Sequence, residues 1–294
     1  MNNSQILYLY DAKLTNPNGD PDEENRPRMD YERSLNLVSD LRLKRYIRDY
    51  LLDKGYPLYV QKVDNEPVTS GNRIKQFAEG DKLNLDKVIG EFIDVRLFGA
   101  TITFKKDNKA LTGPVQFNWG YSLNKVDLLE SSITSHFASS EANKQGAIGK
   151  DYRVKYSMIA FSGVISGKRA EKTKLKEDDI KLLDEALYKA IPLLATRSKI
   201  GQYPRLYIRV EFKDSETILR DLRSYIKLTP DDTSIRDVNE CGLEISKLTD
   251  YLGKNKDKID KLYYFNDEAL SILNNGEKVL LEEALNKFNL IKIQ

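Results

Sequence analysis

The chain contains one cysteine, one histidine and one tryptophan in 294 residues. A single thiol, Cys241, excludes a disulfide within the chain. With a single imidazole, His136, it also excludes the usual Cys/His zinc sites and gives little support to a histidine-based triad. Cys241 is expected to be a small buried side chain and His136 a surface or loop imidazole. Long apolar runs are missing too: no stretch approaches the ~20 apolar residues that cross a bilayer as a helix. The opening MNNSQ leads into a strand pattern instead of a secretory signal, so a cytoplasmic protein with no membrane partner is expected. There is no Walker spacing, internal repeat or low-complexity linker, and neither a cofactor nor a metal is anticipated.

What is present fits a soluble globular chain, with 40% hydrophobic and 31% charged residues. The formal net charge is only +2, yet its distribution is uneven. Residues 142–209 hold 15 Lys and Arg against 7 Asp and Glu, whereas residues 210–294 hold 13 against 17. The middle of the chain therefore has a local basic footprint suited to a polyanion.

The Tyr-rich run from Ile6 to Leu14 reads as a first strand. It meets Asn16-Pro-Asn-Gly-Asp-Pro21, a turn sequence in which Asn and Gly tolerate left-handed backbone and Pro fixes φ. A basic helix is expected from Asn36, as its cap, to about Lys54, where Gly55 and Pro57 stop it. Leu43, Tyr46, Ile47 and Tyr50 form its buried stripe, and Lys44, Arg45 and Arg48 are expected to point elsewhere. Asp40–Lys44 and Arg45–Asp49 have i, i+4 spacing, worth about 0.2–0.5 kcal/mol per pair on a solvated face. Arg42 and Arg48 have no such acid, which motivates a helix that touches phosphates.

Residues 60–94 read as a polar insertion with helical pieces near Gly71–Phe77 and Asp86–Phe92, followed by a β region at Ala100–Phe104. Gly113–Leu123 and Tyr152–Ser162 read as strands, with Phe117 and Trp119 as core residues before base-stacking ones. The small, polar residues 127–150 between them suggest a projecting arm, being far longer than an ordinary hairpin loop. Ser166–Arg169 reads as a basic strand end, Leu175–Ile191 as an amphipathic helix, and Arg205–Phe212 as a strand preceded by the basic loop Thr196–Pro204. Helices are expected at Ser215–Lys227 and Cys241–Leu252, with a helical tail. The charge shift suggests a boundary near 213. The order strand, helix, strand, strand, helix, strand is that of a split βαβ sheet, so the fold class is α+β, ferredoxin-like. The aromatic signature that stacks RNA bases on such sheets is absent, which favours binding along the loops and first helix.

Several motifs occur together in order: NPNGDP, NRPRMD, LVSDLRLKRYIRDYL, LFGA, TGPVQ, GKDYRVKY and RSKIGQYPRLY. Over roughly residues 4–212 the chain resembles the Cas-seven-type backbone subunits of type I CRISPR Cascade complexes, most nearly the type I-B branch. The resemblance implies an RRM-like palm (1–54 and 96–213), a helical finger insertion (55–95), an extended hairpin thumb (124–150) and a mostly helical C-terminal region (214–294). It implies a non-catalytic subunit whose copies form a helical filament on the guide RNA (crRNA), with other Cascade subunits and target DNA paired to the guide as partners. Guide-phosphate contacts would then fall on Ser39, Arg42, Lys44, Arg45 and Arg48, with Asn16 and Asn18 at the entry. Gln116, Arg197, Lys199 and Gln202 would border the same groove. Lys150, Arg153, Lys168 and Arg169 are added on charge alone, and His136, Phe137 and Ile148 as wedges of the thumb.

Two alternatives accompany this reading. Related type III backbone subunits cut target RNA with a loop aspartate, for which Asp20 or Asp22 would serve here, although either also reads as a turn carboxylate bonding local backbone. The other is a purely structural oligomer whose cations pair between subunits.

Overall fold

The computed structural model describes residues 1–62, 66, 68–80, 82–105, 107–138, 146–194 and 196–293. Its central strand, Ser4–Thr15, lies between Gly146–Ile165 on one side and Gln202–Phe212 on the other, antiparallel to both. The strand expected at Gly113–Leu123 is two short pieces, Val115–Phe117 and Gly120–Ser122, which both pair with Gly146–Ile165. In space the four strand units of the split βαβ order therefore run fourth, first, third, second.

Alternation along the central strand decides what covers each face, because successive side chains point to opposite sides. Ile6, Tyr8, Tyr10 and Ala12 meet Leu43, Tyr46 and Ile47 of the helix Asp40–Asp53, and Ile180, Leu183 and Leu187 of the helix Glu177–Leu193. Leu7 and Leu9 point the other way and pack with Leu222, Leu243, Leu248 and Ile272 from beyond residue 213. The segment after 213 is thus a cover for the second sheet face, not a separate body. It also extends the sheet, since Ile259–Asn266 pairs with Gln202–Phe212 and Leu290–Lys292 pairs with Ile259–Asn266.

Several expectations need correction. The C-terminal region is not mostly helical: Ser215–Lys227 holds only the short turn Leu222–Tyr225, and Cys241–Leu252 divides into a strand, Gly242–Glu244, and a helix, Ser246–Lys254. Its tail ends in a strand. The apolar spacing there serves a sheet cover as well as it would a helix stripe, so the pattern alone misleads. The first helix starts at Asp40 with Ser39 as its cap. Asn36 sits instead in a strand, Leu35–Val38, where its amide donates to Arg28 O (2.9 Å) and accepts from Ser157 Oγ (3.1 Å). Ser166–Arg169 opens a helix, Gly167–Thr173, with Ser166 as cap. Within 127–150 the described residues from Leu128 onward are strand: Leu128–Ala138 pairs with Gly146–Ile165 from Leu128↔Val154 to Ala138↔Gly146. The side chains of His136, Phe137 and Ile148 lie outside the described residues. Cys241 is buried as expected, and burial pushes its thiol up to about 11.

The insertion extends past its expected end at 95. Tyr59, Ile74, Val88, Ile89, Phe92 and Val95 share a small core with Ile102 and Phe104 of the hairpin Gly99–Phe104/Asp107–Thr112. The ion pairs Arg48–Asp94 (3.0 Å) and the buried Arg96–Asp179 (2.8 Å) fasten it to the two long helices.

A third buried pair locks the second long helix to the sheet. Asp184 accepts from Arg209 Nη2 (2.7 Å), Arg209 Nε (3.1 Å) and Tyr207 Oη (2.6 Å). Removing one member leaves the other charge buried alone, so Asp184→Ala is expected to cost about 3–5 kcal/mol in urea unfolding, with Asp184→Asn costing less.

Candidate nucleic-acid interface

At the end of the central strand the chain turns into the Asn-Pro loop, and the loop Thr196–Gln202 folds back beside it. Asn16 N–H donates to Ser198 O (3.0 Å), and Lys13 N–H to Gly201 O (2.9 Å). Gly201 is required at this approach: its φ is +101°, and a Cβ would lie 2.7 Å from Lys13 O. Gln202 completes the junction by donating to Thr15 Oγ1 (3.1 Å) and accepting from Tyr46 Oη (3.1 Å). The first helix is tied in through Asn18 Oδ1, which accepts from both Ser39 N–H (2.9 Å) and Ser39 Oγ (3.0 Å). Ser39 Oγ in turn caps the N–H of Arg42 (3.2 Å).

This neutral scaffold holds two cations. Arg42 lies over the Tyr46 ring at 4.1 Å, and its Nε is buried without a hydrogen-bond partner. Lys199 Nζ donates to the backbone carbonyls of Asn16 and Pro17. Burial, and then the charge of Arg42 nearby, pulls the Lys199 amine down to about 7. Among the described residues neither cation forms an ion pair with a carboxylate. Two like charges held together without an acid form a ready anion site, because a bound anion relieves their repulsion.

The other predicted cations differ. Lys44 is buried against expectation, between Asp40 Oδ2 (3.2 Å) and Gln116 Oε1 (3.1 Å). Arg45 pairs with Asp49 (2.7 Å), so both anticipated i, i+4 pairs form. Arg48, expected to be free, is drawn to Asp94 of the insertion and lies over the Phe98 ring at 5.1 Å. At the root of the long strand pair that Leu128 opens, Arg153 (2.7 Å) and Arg197 (3.0 Å) share Asp151. Burial works against that carboxylate, but hydrogen bonds from the two arginines outweigh it and hold Asp151 below the usual carboxylate range. Lys150 reaches Glu130 (3.4 Å) and Glu24 (3.8 Å).

The structure thus brings together Asn16, Asn18, Ser39, Arg42, Lys199 and Gln202, with Lys150, Arg153 and Arg197 alongside and Lys44 and Arg48 farther along the helix; Gln116, in register with Val164 toward the other end of the central strand, meets the helix through Lys44. It does not bring in Lys168 and Arg169. They follow Ile165, which pairs with Ser4 at the opposite end of the central strand, roughly 35 Å away at ~3.3 Å per residue. Lys168 is engaged by Glu216 (2.7 Å). Net charge in a sequence window carries no direction, which is why those two were drawn in. Two members of the site were missed, Tyr46 and Thr15. Tyr46 had a legible signal, standing one turn after Arg42.

Asp20 and Asp22 occupy the Asn-Pro loop. Asp20 Oδ1 accepts from Asp22 N–H (3.2 Å) and Asp20 Oδ2 pairs with Arg28 (2.7 Å), the local bonding of a turn carboxylate.

A family model described as CRISPR-associated protein Cas7 matches residues 2–246. The chain is 34% identical over 313 residues to the CRISPR-associated protein Cas7 of Haloferax volcanii, covering 96% of this chain and 92% of that protein. Its fold is like that of a chain in a solved CRISPR RNA-guided surveillance complex, with a TM-score of 0.55 and 12% identity over 97% of this chain and 99% of that one. A chain from a complex described as pre-nicking gives a TM-score of 0.52 and 12% identity over 93% and 96% of the two chains. With a family model spanning most of its length and a relative matched nearly end to end, the chain belongs to the Cas7 family of CRISPR-associated proteins.

Proposed function

We propose that this chain is a non-catalytic backbone subunit that binds crRNA in a type I CRISPR surveillance complex directed at DNA. The observation that carries the reading is the Arg42–Lys199 pair, two cations with no carboxylate, set on neutral groups that hold it in place. Phosphate contacts of this kind position a strand without reading its bases, as a subunit that accepts any guide sequence requires. Specificity then belongs to base pairing between guide and target.

In this reading the antiparallel sheet with its two long helices is an RRM-like palm, the insertion is the finger and the long strand pair is the thumb. Copies of the chain line up along the guide as a helical filament in the cytoplasm, with other subunits at their borders. The cover beyond residue 213 occupies the sheet face on which RRM-type sheets usually stack bases, which favours an RNA path over the loops and first helix. Asp20, engaged by Arg28 and its own turn, gives no support to RNA cleavage.

The reading makes two predictions. Single-stranded RNA binding weakens with salt, and each phosphate contact contributes roughly −0.7 to the log–log slope. Arg42→Ala with Lys199→Ala is expected to flatten that slope by about 1.4 in fluorescence anisotropy titrations, whereas Lys168→Ala leaves it unchanged. A slope unmoved by the double variant rejects the site.

The second concerns pH. Lys199 is half-charged near 7 in the free protein, and a phosphate favours its charged form, so binding takes up a proton. Affinity should be highest below pH 7 and fall by up to ~10-fold per unit as pH rises above it, with Lys199→Arg flattening the profile. Equal affinity at pH 6 and pH 9 in the unaltered protein counts against this role for Lys199.

A further inference from the structure

Phosphate satisfies donors only, yet the site also has an acceptor without a partner. Asn16 is 97% buried, its relative exposure being 3%. Its amide nitrogen donates to Asn25 O (2.7 Å), which fixes the orientation of the side chain. Asn16 Oδ1 is then left as a buried acceptor with no hydrogen bond. An acceptor shielded from water and unpaired is destabilising, and a ligand that supplies a donor removes that cost.

The surroundings of Asn16 are those of a small polar subsite. Asn16 lines a cavity of about 260 Å³ with Tyr152, Asp151, Arg197, Ser198 and Lys150. The backbone carbonyl of the same Asn16 accepts from Lys199. One residue therefore joins the cation pair to this cavity.

The chemistry of the donor follows from the proposed function, on which this inference rests. A subunit that accepts any guide sequence cannot depend on a base donor, since the donor pattern differs from base to base. The backbone of a polynucleotide carries one hydroxyl donor that is independent of sequence, the ribose 2′-hydroxyl, and DNA lacks it. We propose that Asn16 is a ribose reader: its Oδ1 accepts from a 2′-hydroxyl beside the phosphate held by Arg42 and Lys199, so that the site selects RNA over DNA at any sequence.

The test uses the full chain and four labelled single strands of one sequence, carrying 2′-hydroxyl, 2′-fluoro, 2′-O-methyl or 2′-deoxy sugars, titrated by fluorescence anisotropy at fixed salt. The 2′-fluoro strand keeps an RNA-like sugar but cannot donate, so it separates the hydrogen bond from helical shape. The unaltered protein is expected to bind the hydroxyl strand about 5-fold or more tightly than the fluoro strand, the scale of one net hydrogen bond. Asn16→Ala should bring that ratio close to 1, whereas Arg42→Ala should weaken all four strands and keep the ratio. Equal binding of hydroxyl and fluoro strands by the unaltered protein, with salt dependence intact, overturns the ribose reader and leaves the phosphate site standing. A hydroxyl preference that survives Asn16→Ala also overturns it. If no strand binds, the crRNA reading fails and the inference fails with it.

Discussion

A strand buried on both faces must be covered twice, and the rest of the fold answers that constraint. Every residue from Ile6 to Tyr10 is fully buried, with alternate side chains committed to opposite layers. One layer is the pair of long helices and the other is the segment beyond residue 213. Fully burying a Leu or Ile side chain contributes about 1.5–3 kcal/mol, so neither layer is dispensable to such a strand. The functional consequence is positional. With both faces closed, only the ends of the strand border loops, and the Asn-Pro loop and the Thr196–Gln202 loop meet at one of them.

The site itself shows how neutral groups can organise charge. Asn18 with Ser39, and Gln202 with Tyr46 and Thr15, form two sets of hydrogen bonds between loop, helix and strand, and none of these side chains carries charge. They fix the backbone on which Arg42 and Lys199 sit. Elsewhere along the same helix the cations are neutralised, Lys44 by Asp40 and Arg48 by Asp94. The helix is therefore basic in sequence but selectively basic in space.

How much of this was legible in the sequence varied with the kind of signal. Period-2 and period-3.6 patterns located the four strand units, the two long helices and the stripe Leu43, Tyr46, Ile47 and Tyr50. Short-range pairs were legible as well, since Asp40–Lys44 and Arg45–Asp49 depend only on helix spacing. Long-range partners were not: nothing near Arg48 in sequence announces Asp94, and nothing near Lys199 announces the carbonyl of Asn16. The C-terminal cover was misjudged because short apolar strands packed on a sheet have no periodicity that separates them from a helix. The family motifs carried Lys199 and Gln202 into the site, where charge counting alone brought in Lys168 and Arg169 as well.

Asp94 has two tasks that are usually divided between residues. Its carboxylate accepts the N–H groups of Tyr59 (2.8 Å) and Val60 (3.1 Å), setting the path by which the chain enters the insertion, and it also neutralises Arg48 on the helix Asp40–Asp53. The order of the inserted element and the charge presented by the helix are thus held by one pair of oxygens. Sequence drift in the insertion is therefore constrained from outside it: a relative that remodels this entry must either keep an acid here or release a cation on the helix that also carries Arg42.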